Sequence, residues 1–396
     1  MDSIKTIYRI GNGPSSSHTM GPQKAASIFK SKNPDADKYI VELYGALAET
    51  GRGHLTDFII LKTLGINSTT VKFMPEVIYD YHPNGMRFIA IKNEIEVDSW
   101  LVFSVGGGEL KELNEVRSDS VREVYKEKNM YEILQYCDNN NLSLYEYIIQ
   151  KDDKDILKYM DNILDVMFAS VERGLNATGV LPGRLKIEKR ANKMYSEYLK
   201  SPNATSLEFA SSLAASEENA SGGMIVIAPT CGSCGVVAGA LYTYNRYYNV
   251  CKEKIIEGLL VGGLIGNIVK QNASISGAEV GCQGEVGVAC AMAAAAVCHI
   301  KGGNNKQIEY ASEIALEHHL GLTCDPVEGY VQIPCIERNA MSAKRAIDCA
   351  LFALLTNGEH YIKLDDAIKT MLETGKDLNP EYKETSKAGL AKRMEC

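Results

Sequence analysis

The sequence predicts an α+β N-terminal domain, a small mixed sheet with helices, followed by an all-α catalytic-sized domain, and three observations carry that prediction. A chain of 396 residues exceeds what one hydrophobic core usually serves, so two domains are expected. Runs of β-branched and aromatic residues cluster between Lys38 and Leu110. Beyond Asp155 the apolar residues recur at helical spacing instead. The division is placed within the acidic and polar stretch Glu112–Asp155, giving domains of 1–150 and 151–396.

The strand candidates are Tyr39–Leu43, Ser68–Met74, Met86–Ile91 and Trp100–Val105, with a helix expected over Thr50–Thr63 between the first two. The second half of Glu112–Asp155 has a helical bias. Ile163, Leu164, Met167, Phe168 and Val171 then form one stripe, with Gly174 read as a C-cap. The alanine-rich runs Ala291–Val297 and Ala346–Leu355 extend the helical texture, and no repeat of fixed period is visible.

Composition narrows the function. A net charge of −8 without a long basic run argues against nucleic acid as a partner. Met1–Gly13 has no apolar h-region, so a cytoplasmic protein is expected. The most apolar stretch, Gly258–Val269, is too short for a bilayer and is interrupted by Asn267, which reads as a buried helix and no membrane association. Eleven cysteines in such a chain suggest reduced thiols, metal ligands or core residues before disulfides.

Several loops could carry chemistry. Ser15, Ser16, Ser17, His18 and Thr19 form a hydroxyl-rich loop before a helix in which Pro22 suits the first turn. Such a loop can cradle an anion, and its histidine can move a proton; plain N-capping is the alternative. His54, in the turn Gly51-Arg52-Gly53-His54, is equally readable as a surface histidine or a catalytic one. His82 and the run Gly106-Gly107-Gly108 are similarly ambiguous. Asn219, Ser221 and Gly222 in one small-residue loop, and Thr230 in another, can present groups to a carboxylate. Cys231 and Cys234 look like half a zinc site or a redox pair, but no second pair at knuckle spacing accompanies them.

Cys282, Cys324 and Cys335 each lie in a loop-forming context with Gly or Pro at hand, whereas Cys290, Cys298 and Cys349 sit among apolar residues as inert thiols would. Three soft thiolates suit a cubane cluster that ordinarily takes four, and three leave one iron open. An open position marks a catalytic metal site.

The strings GPSSSHTMGP, VELYGALAETGRGHLTD, HPNGMRF, SVGGG, ENASGG, APTCGSCG, GCQGEVG and LTCDPVEGYVQIPCIERN, in this order, resemble the iron–sulfur-dependent L-serine dehydratases nearly end to end. The resemblance implies an oxygen-sensitive lyase that converts L-serine to pyruvate and ammonia with a 4Fe-4S cluster and no pyridoxal phosphate. It implies that Cys282, Cys324 and Cys335 bind the cluster and that the C-terminal Cys396 occupies the open iron at rest; a stray terminal thiol is the alternative. It also implies that Ser15–Thr19 and the His54 turn face the cluster across a domain interface, and that the protein is a homodimer.

Hydroxide is a poor leaving group and the α-proton of serine is weakly acidic, so such an elimination pairs a Lewis acid with a base, for which His18 and His54 are the candidates. Ser15, Ser16, Ser17, Thr19, Asn219, Ser221, Gly222 and Thr230 are the candidates to hold the substrate carboxylate. Rival readings are a cysteine or threonine lyase, an iron–sulfur serine sensor, and a structural zinc protein. The sensor reading lacks a DNA-reading helix or basic face.

Overall fold

A five-stranded mixed sheet forms the centre of the N-terminal unit in the computed structural model, which describes residues 1–105, 107–113 and 123–394. One compact unit is Asn12–Ser120; the other joins Met1–Gly11 to the chain from Val121 onward. Strand β1 (Arg9–Asn12) is followed by helix α1 (Gly21–Lys32), β2 (Lys38–Tyr44), α2 (Gly45–Thr50), α3 (Thr56–Leu64), β3 (Thr69–Met74), β4 (Gly85–Lys92), β5 (Ile95–Ser104) and the short β6 (Leu110–Lys111). The sheet order is β3-β2-β4-β5-β6. β2 runs parallel to β3 and antiparallel to β4, while β5 is antiparallel to both of its neighbours.

These strands form where the β-branched runs place them, because one face can be buried. Val41, Leu43, Met86, Phe88 and Val102 pack with Ala25, Phe29, Ile59 and Ile60 from the helices into one apolar cluster. The helix expected over Thr50–Thr63 is two helices instead. Leu55 takes a left-handed backbone with φ of 56°, which an α-helix cannot continue through, so the Gly51–Leu55 turn separates α2 from α3.

The second unit is helical: α4 (Met130–Asn140), α5 (Leu144–Lys151), α6 (Ile156–Asn176), α7 (Ala191–Lys200), α8 (Ala204–Ala220), then strand β7 (Met224–Ile227), α9 (Cys234–Arg246), α10 (Lys252–Asn272), α11 (Gly277–Val280), α12 (Val288–Ile300), α13 (Asn305–Glu317), α14 (Cys335–Leu354) and α15 (Leu364–Asp377). An α+β N-terminal region followed by a mostly helical one is the fold class the sequence predicts. The pairing of β7 with β1 was not foreseen.

Helix starts carry the expected chemistry. Ser143 with Glu146, and Asn304 with Gln307, form reciprocal capping boxes on α5 and α13. Gly174 is not a C-cap: α6 continues to Asn176, and a side chain at Gly174 would run into the Ala214 backbone of α8. Its place is a close helix crossing.

The N-terminal residues belong to the helical core. Ile4, Ile7 and Tyr8 are fully buried, and the Tyr8 hydroxyl donates to the Leu259 carbonyl of α10 at 2.9 Å. Gly263 of α10 leaves the space that the Ile4 and Tyr8 side chains fill, which gives the glycines within Gly258–Val269 a packing role. Among the described residues one segment, Gln283–Ile300, is long and apolar enough to cross a membrane by length and composition, and 89% of it is buried inside the protein. It is the central core helix.

Candidate active site

In the helical unit, three chain segments bring cysteines and acidic groups together. The first is a turn of π-helix, Gln283–Gly287, for which Cys282 is the N-cap. Gly281 precedes it with φ of 76°, a backbone conformation that favours glycine. Gln283, fully buried, fixes this turn: its Nε2 donates to the Val280 carbonyl at 2.7 Å, and its Oε1 accepts from the Gly321 N–H at 2.9 Å and from Thr374 Oγ1 at 3.1 Å.

The second segment is the loop around Cys324. Its backbone N–H donates to the Tyr382 carbonyl at 2.8 Å, and its carbonyl accepts from the Glu384 N–H at 2.8 Å. The chain after α15 is thereby laid alongside Cys324 in a one-residue parallel bridge with Lys383. Ser386 Oγ donates to the Pro326 carbonyl at 2.6 Å, and the Leu390 N–H donates to Asp325 Oδ2 at 2.8 Å.

The third segment is the start of α14, where Cys335 follows Pro334. One turn on, Arg338 donates to the Thr323 carbonyl at 2.6 Å and to Asp325 Oδ1 at 3.2 Å, gripping Cys324 from both sides. Asn339 Nδ2 donates to the carbonyls of Gly232 at 2.7 Å and Cys335 at 2.8 Å, while its Oδ1 accepts from the Gly235 N–H at 2.9 Å. The loop carrying Thr230 is in this way strapped to the helix carrying Cys335.

Cys282 Sγ, Glu285 and Cys324 Sγ offer ligand atoms that all lie within 4.8 Å of one another. Cys324 Sγ stands 3.9 Å from Glu285 Oε2. The hydrogen bond with Cys324, aided by Arg338, lowers the Cys282 thiol below its ordinary value, and the same pairing raises Cys324. Burial raises Cys335 and Glu285, the latter opposed by a hydrogen bond from the Thr230 hydroxyl. Burial, with the charges of Glu285 and Cys282, pushes Glu384 up to about 8. Soft thiols, one of them biased to thiolate and beside a guanidinium, form a donor set that fits a thiophilic metal group.

The Asn12–Ser120 unit carries its own polar constellation. Ser15 is the N-cap of a π-turn, Ser16–Met20, and accepts from the His18 N–H at 3.2 Å, so capping is what its hydroxyl does here. The rings of His18 and His54 lie 4.5 Å apart at 32°. Their backbones are cross-tied, Thr19 Oγ1 donating to the His54 carbonyl at 2.8 Å and Thr56 Oγ1 to the His18 carbonyl at 2.6 Å.

A carbonyl only accepts, so His18 donates through Nε2 to Ala46 O at 3.3 Å, and Nδ1 accepts from the Ser17 hydroxyl at 2.8 Å. By the same logic His54 donates through Nδ1 to Thr50 O at 3.0 Å and keeps its ring lone pair on Nε2. Burial holds His18 well below the usual imidazole range, helped by the neighbouring His54, and lowers His54 to about 4. Both are neutral at pH 7, the form that accepts a proton.

Residues 104–391 match the serine dehydratase alpha chain and residues 3–75 the serine dehydratase beta chain. The chain belongs to the serine dehydratase family. Among curated members of that family it is 37% identical to the L-serine dehydratase of Haemophilus influenzae, over 100% of both chains, and 39% identical to the L-serine dehydratase TdcG of Escherichia coli, again over 100% of both. The Streptomyces coelicolor L-serine dehydratase is 38% identical, over 100% of this chain and 99% of that one. Alpha- and beta-chain regions of the serine dehydratase family are therefore fused here in one lyase polypeptide.

Within this family member, Cys282 and Cys324 come together with Glu285, and Cys335 stands at the start of the helix that Arg338 ties to the Cys324 loop and Asn339 to the Thr230 loop. Asn219 is buried at the end of α8, the Ser221 hydroxyl donates to the Glu217 carbonyl at 2.7 Å, and the Gly222 N–H donates to the Asn219 carbonyl at 3.0 Å. Ser15, Ser16, Ser17, His18, Thr19 and His54 cluster together in the other unit. Cys396 lies outside the described residues, as does Gly106. All ten described cysteines are free thiols; Cys290, Cys298 and Cys349 are buried in the core, as their apolar neighbours indicate.

Sequence reasoning missed Glu285, Arg338, Asn339 and Glu384. The first three stand within four residues of a candidate cysteine, a spacing that was available as a signal. Glu384 reaches the site only because the chain after α15 pairs with Cys324, and no local pattern announces that.

Proposed function

We propose that this chain is an L-serine dehydratase that yields pyruvate and ammonia, with a 4Fe-4S cluster, and no pyridoxal phosphate, held by Cys282, Cys324 and Cys335. In this reading Cys396 is the resting ligand of the open iron, displaced by substrate. The observation that carries the proposal is the convergence of Cys282 and Cys324 within 4.8 Å, with Arg338 tying the Cys324 loop to the helix turn of Cys335, in a chain whose full-length relatives are L-serine dehydratases.

The bound cluster would supply Lewis acidity toward the serine hydroxyl, which otherwise leaves as poorly stabilised hydroxide. The remaining work falls to side chains. Ser15, Ser16, Ser17, Thr19, Asn219, Ser221, Gly222 and Thr230 are assigned to the substrate carboxylate. Neutral His18 or His54 is assigned the α-proton. Loss of the α-proton and of hydroxide, as water, gives 2-aminoacrylate. It tautomerises to 2-iminopropanoate, and one water then hydrolyses that to pyruvate and ammonia.

The test is turnover of L-serine, L-threonine and L-cysteine by anaerobic, iron- and sulfide-loaded protein. Pyruvate forming fastest from L-serine supports the assignment. Faster turnover of threonine or cysteine, or binding of serine without turnover, overturns it.

A further inference from the structure

We infer that, when no cluster is bound, Cys282, Cys324 and Glu285 form a site for a single thiophilic divalent cation of the Zn²⁺ class, from which Cys335 is left out. The inference stands on the arrangement of these side chains and is independent of the lyase reading.

The two thiols and the carboxylate already have ligand atoms within 4.8 Å of one another, a grouping that does not include Cys335. A tetrahedral zinc with Zn–S of about 2.3 Å and Zn–O of about 2.0 Å places sulfur and oxygen roughly 3.5 Å apart. The observed separation of Cys324 Sγ from Glu285 Oε2 is 3.9 Å, so this pair needs to close by only a few tenths of an ångström, and every ligand pair already lies within 4.8 Å. Gly277 makes room for the pair: a Cβ there would lie 2.5 Å from Glu285 Oε2 and 3.2 Å from Cys324 Sγ.

The supports around the ligands fit the same role. Thr230 favours the carboxylate form of Glu285 against its burial, as outer partners of metal ligands do. Cys282 and Cys324 sit on two loops that Gln283 ties together through Val280 and Gly321. Two thiolates and a carboxylate around a dication carry a net charge of −1, and the Arg338 guanidinium, which favours the Cys282 thiolate, offsets it. Binding releases the thiol protons to solvent and leaves a fourth position for water.

A cluster and a single ion therefore draw on different members of one donor set. The cluster proposed above uses Cys335 and not Glu285; the single ion uses Glu285 and not Cys335. Zinc of this kind would compete with cluster assembly.

The experiment is a Co²⁺ titration, competed with Zn²⁺, of the full-length chain stripped of iron and held anaerobically. The readout is the sulfur-to-cobalt charge-transfer absorbance. One equivalent is expected to bind, with Cys335→Ser binding as the unaltered chain does. Glu285→Gln is expected to weaken binding by at least about tenfold, since loss of an outer partner alone typically costs that much. A Cys335→Ser variant that loses the ion, a Glu285→Gln variant that binds unchanged, or absence of the charge-transfer band would each overturn the inference. Because turnover is not read, pyruvate formation by the iron- and sulfide-loaded protein would survive such a failure.

Discussion

The imidazoles of His18 and His54 stand 4.5 Å apart, each oriented by a hydrogen bond to a backbone carbonyl, Ala46 for one and Thr50 for the other. Two adjacent rings in a buried setting cannot both carry a proton without strong repulsion, so the pair is held neutral. This sets both their capacity to accept a proton and the acid limit of the unit that contains them.

Acid should destabilise that unit through His54. Its folded-state value, about 4, lies below the unfolded value of 6.5, so the unfolded chain binds the proton first as pH falls. Stability from this group is complete above pH 6.5 and declines between 6.5 and 4, by about 2 kcal/mol at pH 5. Denaturation of His54→Gln across that window should show a shallower fall than the unaltered chain. Parallel profiles would contradict the assignment.

Glu208 predicts the opposite sign. It is 1% exposed on α8, and burial pushes its carboxyl up to about 8. Its Oε1 has no hydrogen-bond partner among the described residues. The unfolded chain ionises first as pH rises through 4.5, so stability is lost between 4.5 and 8. Glu208→Gln should stabilise the protein by about 1–3 kcal/mol at pH 7 and by little at pH 4, read from urea midpoints at both.

Asn339 is the strap between the Thr230 loop and α14. Replacing it with Leu removes partners from the carbonyl of Gly232 and the N–H of Gly235 at once. Each buried group left unsatisfied costs about 1–3 kcal/mol, so Asn339→Leu should lose roughly 2–5 kcal/mol in chemical denaturation. Asn339→Asp, which keeps the acceptor, should lose less.

Arg338 with Asp325 is a largely buried pair, the side chains 17% and 3% exposed. Removing one partner strands the other charge, at a cost of about 3 kcal/mol. Arg338→Met should therefore lower stability and, because the grip on Cys324 goes with it, the iron and sulfide retained after reconstitution. Arg338→Lys, with one donor group in place of a fork, should fall between the two.

Four of the five strands of the N-terminal sheet, and helices α6, α10, α12 and α14 of the second unit, were legible because β-branched runs and helical apolar periods map onto buried faces. Val41 and Leu43, or Ile163, Leu164 and Met167, announce which side is inside. The break at Leu55 was legible in part: Gly51-Arg52-Gly53-His54 reads as a turn, yet the apolar residues that follow drew the expected helix back across it to Thr50. Gly174 misled for the opposite reason: a glycine near a helix end fits a cap locally, and only the approach of Ala214 shows its packing role.

The cysteines were readable from their loop settings, yet the supports that make them a site were not. Glu384 arrives through a backbone bridge between Cys324 and Lys383, a long-range pairing without a periodic signature. Gln283 works through hydrogen bonds to the Gly321 loop and to Met371 and Thr374 of α15, which no spacing rule encodes.

The most direct test of the account is pyruvate formation from L-serine by anaerobically reconstituted protein, measured before and after exposure to air alongside the visible iron–sulfur absorbance. The account predicts that activity rises with the chromophore and is lost with it. Undiminished serine turnover by iron-free protein, or a full chromophore with no turnover, would contradict it.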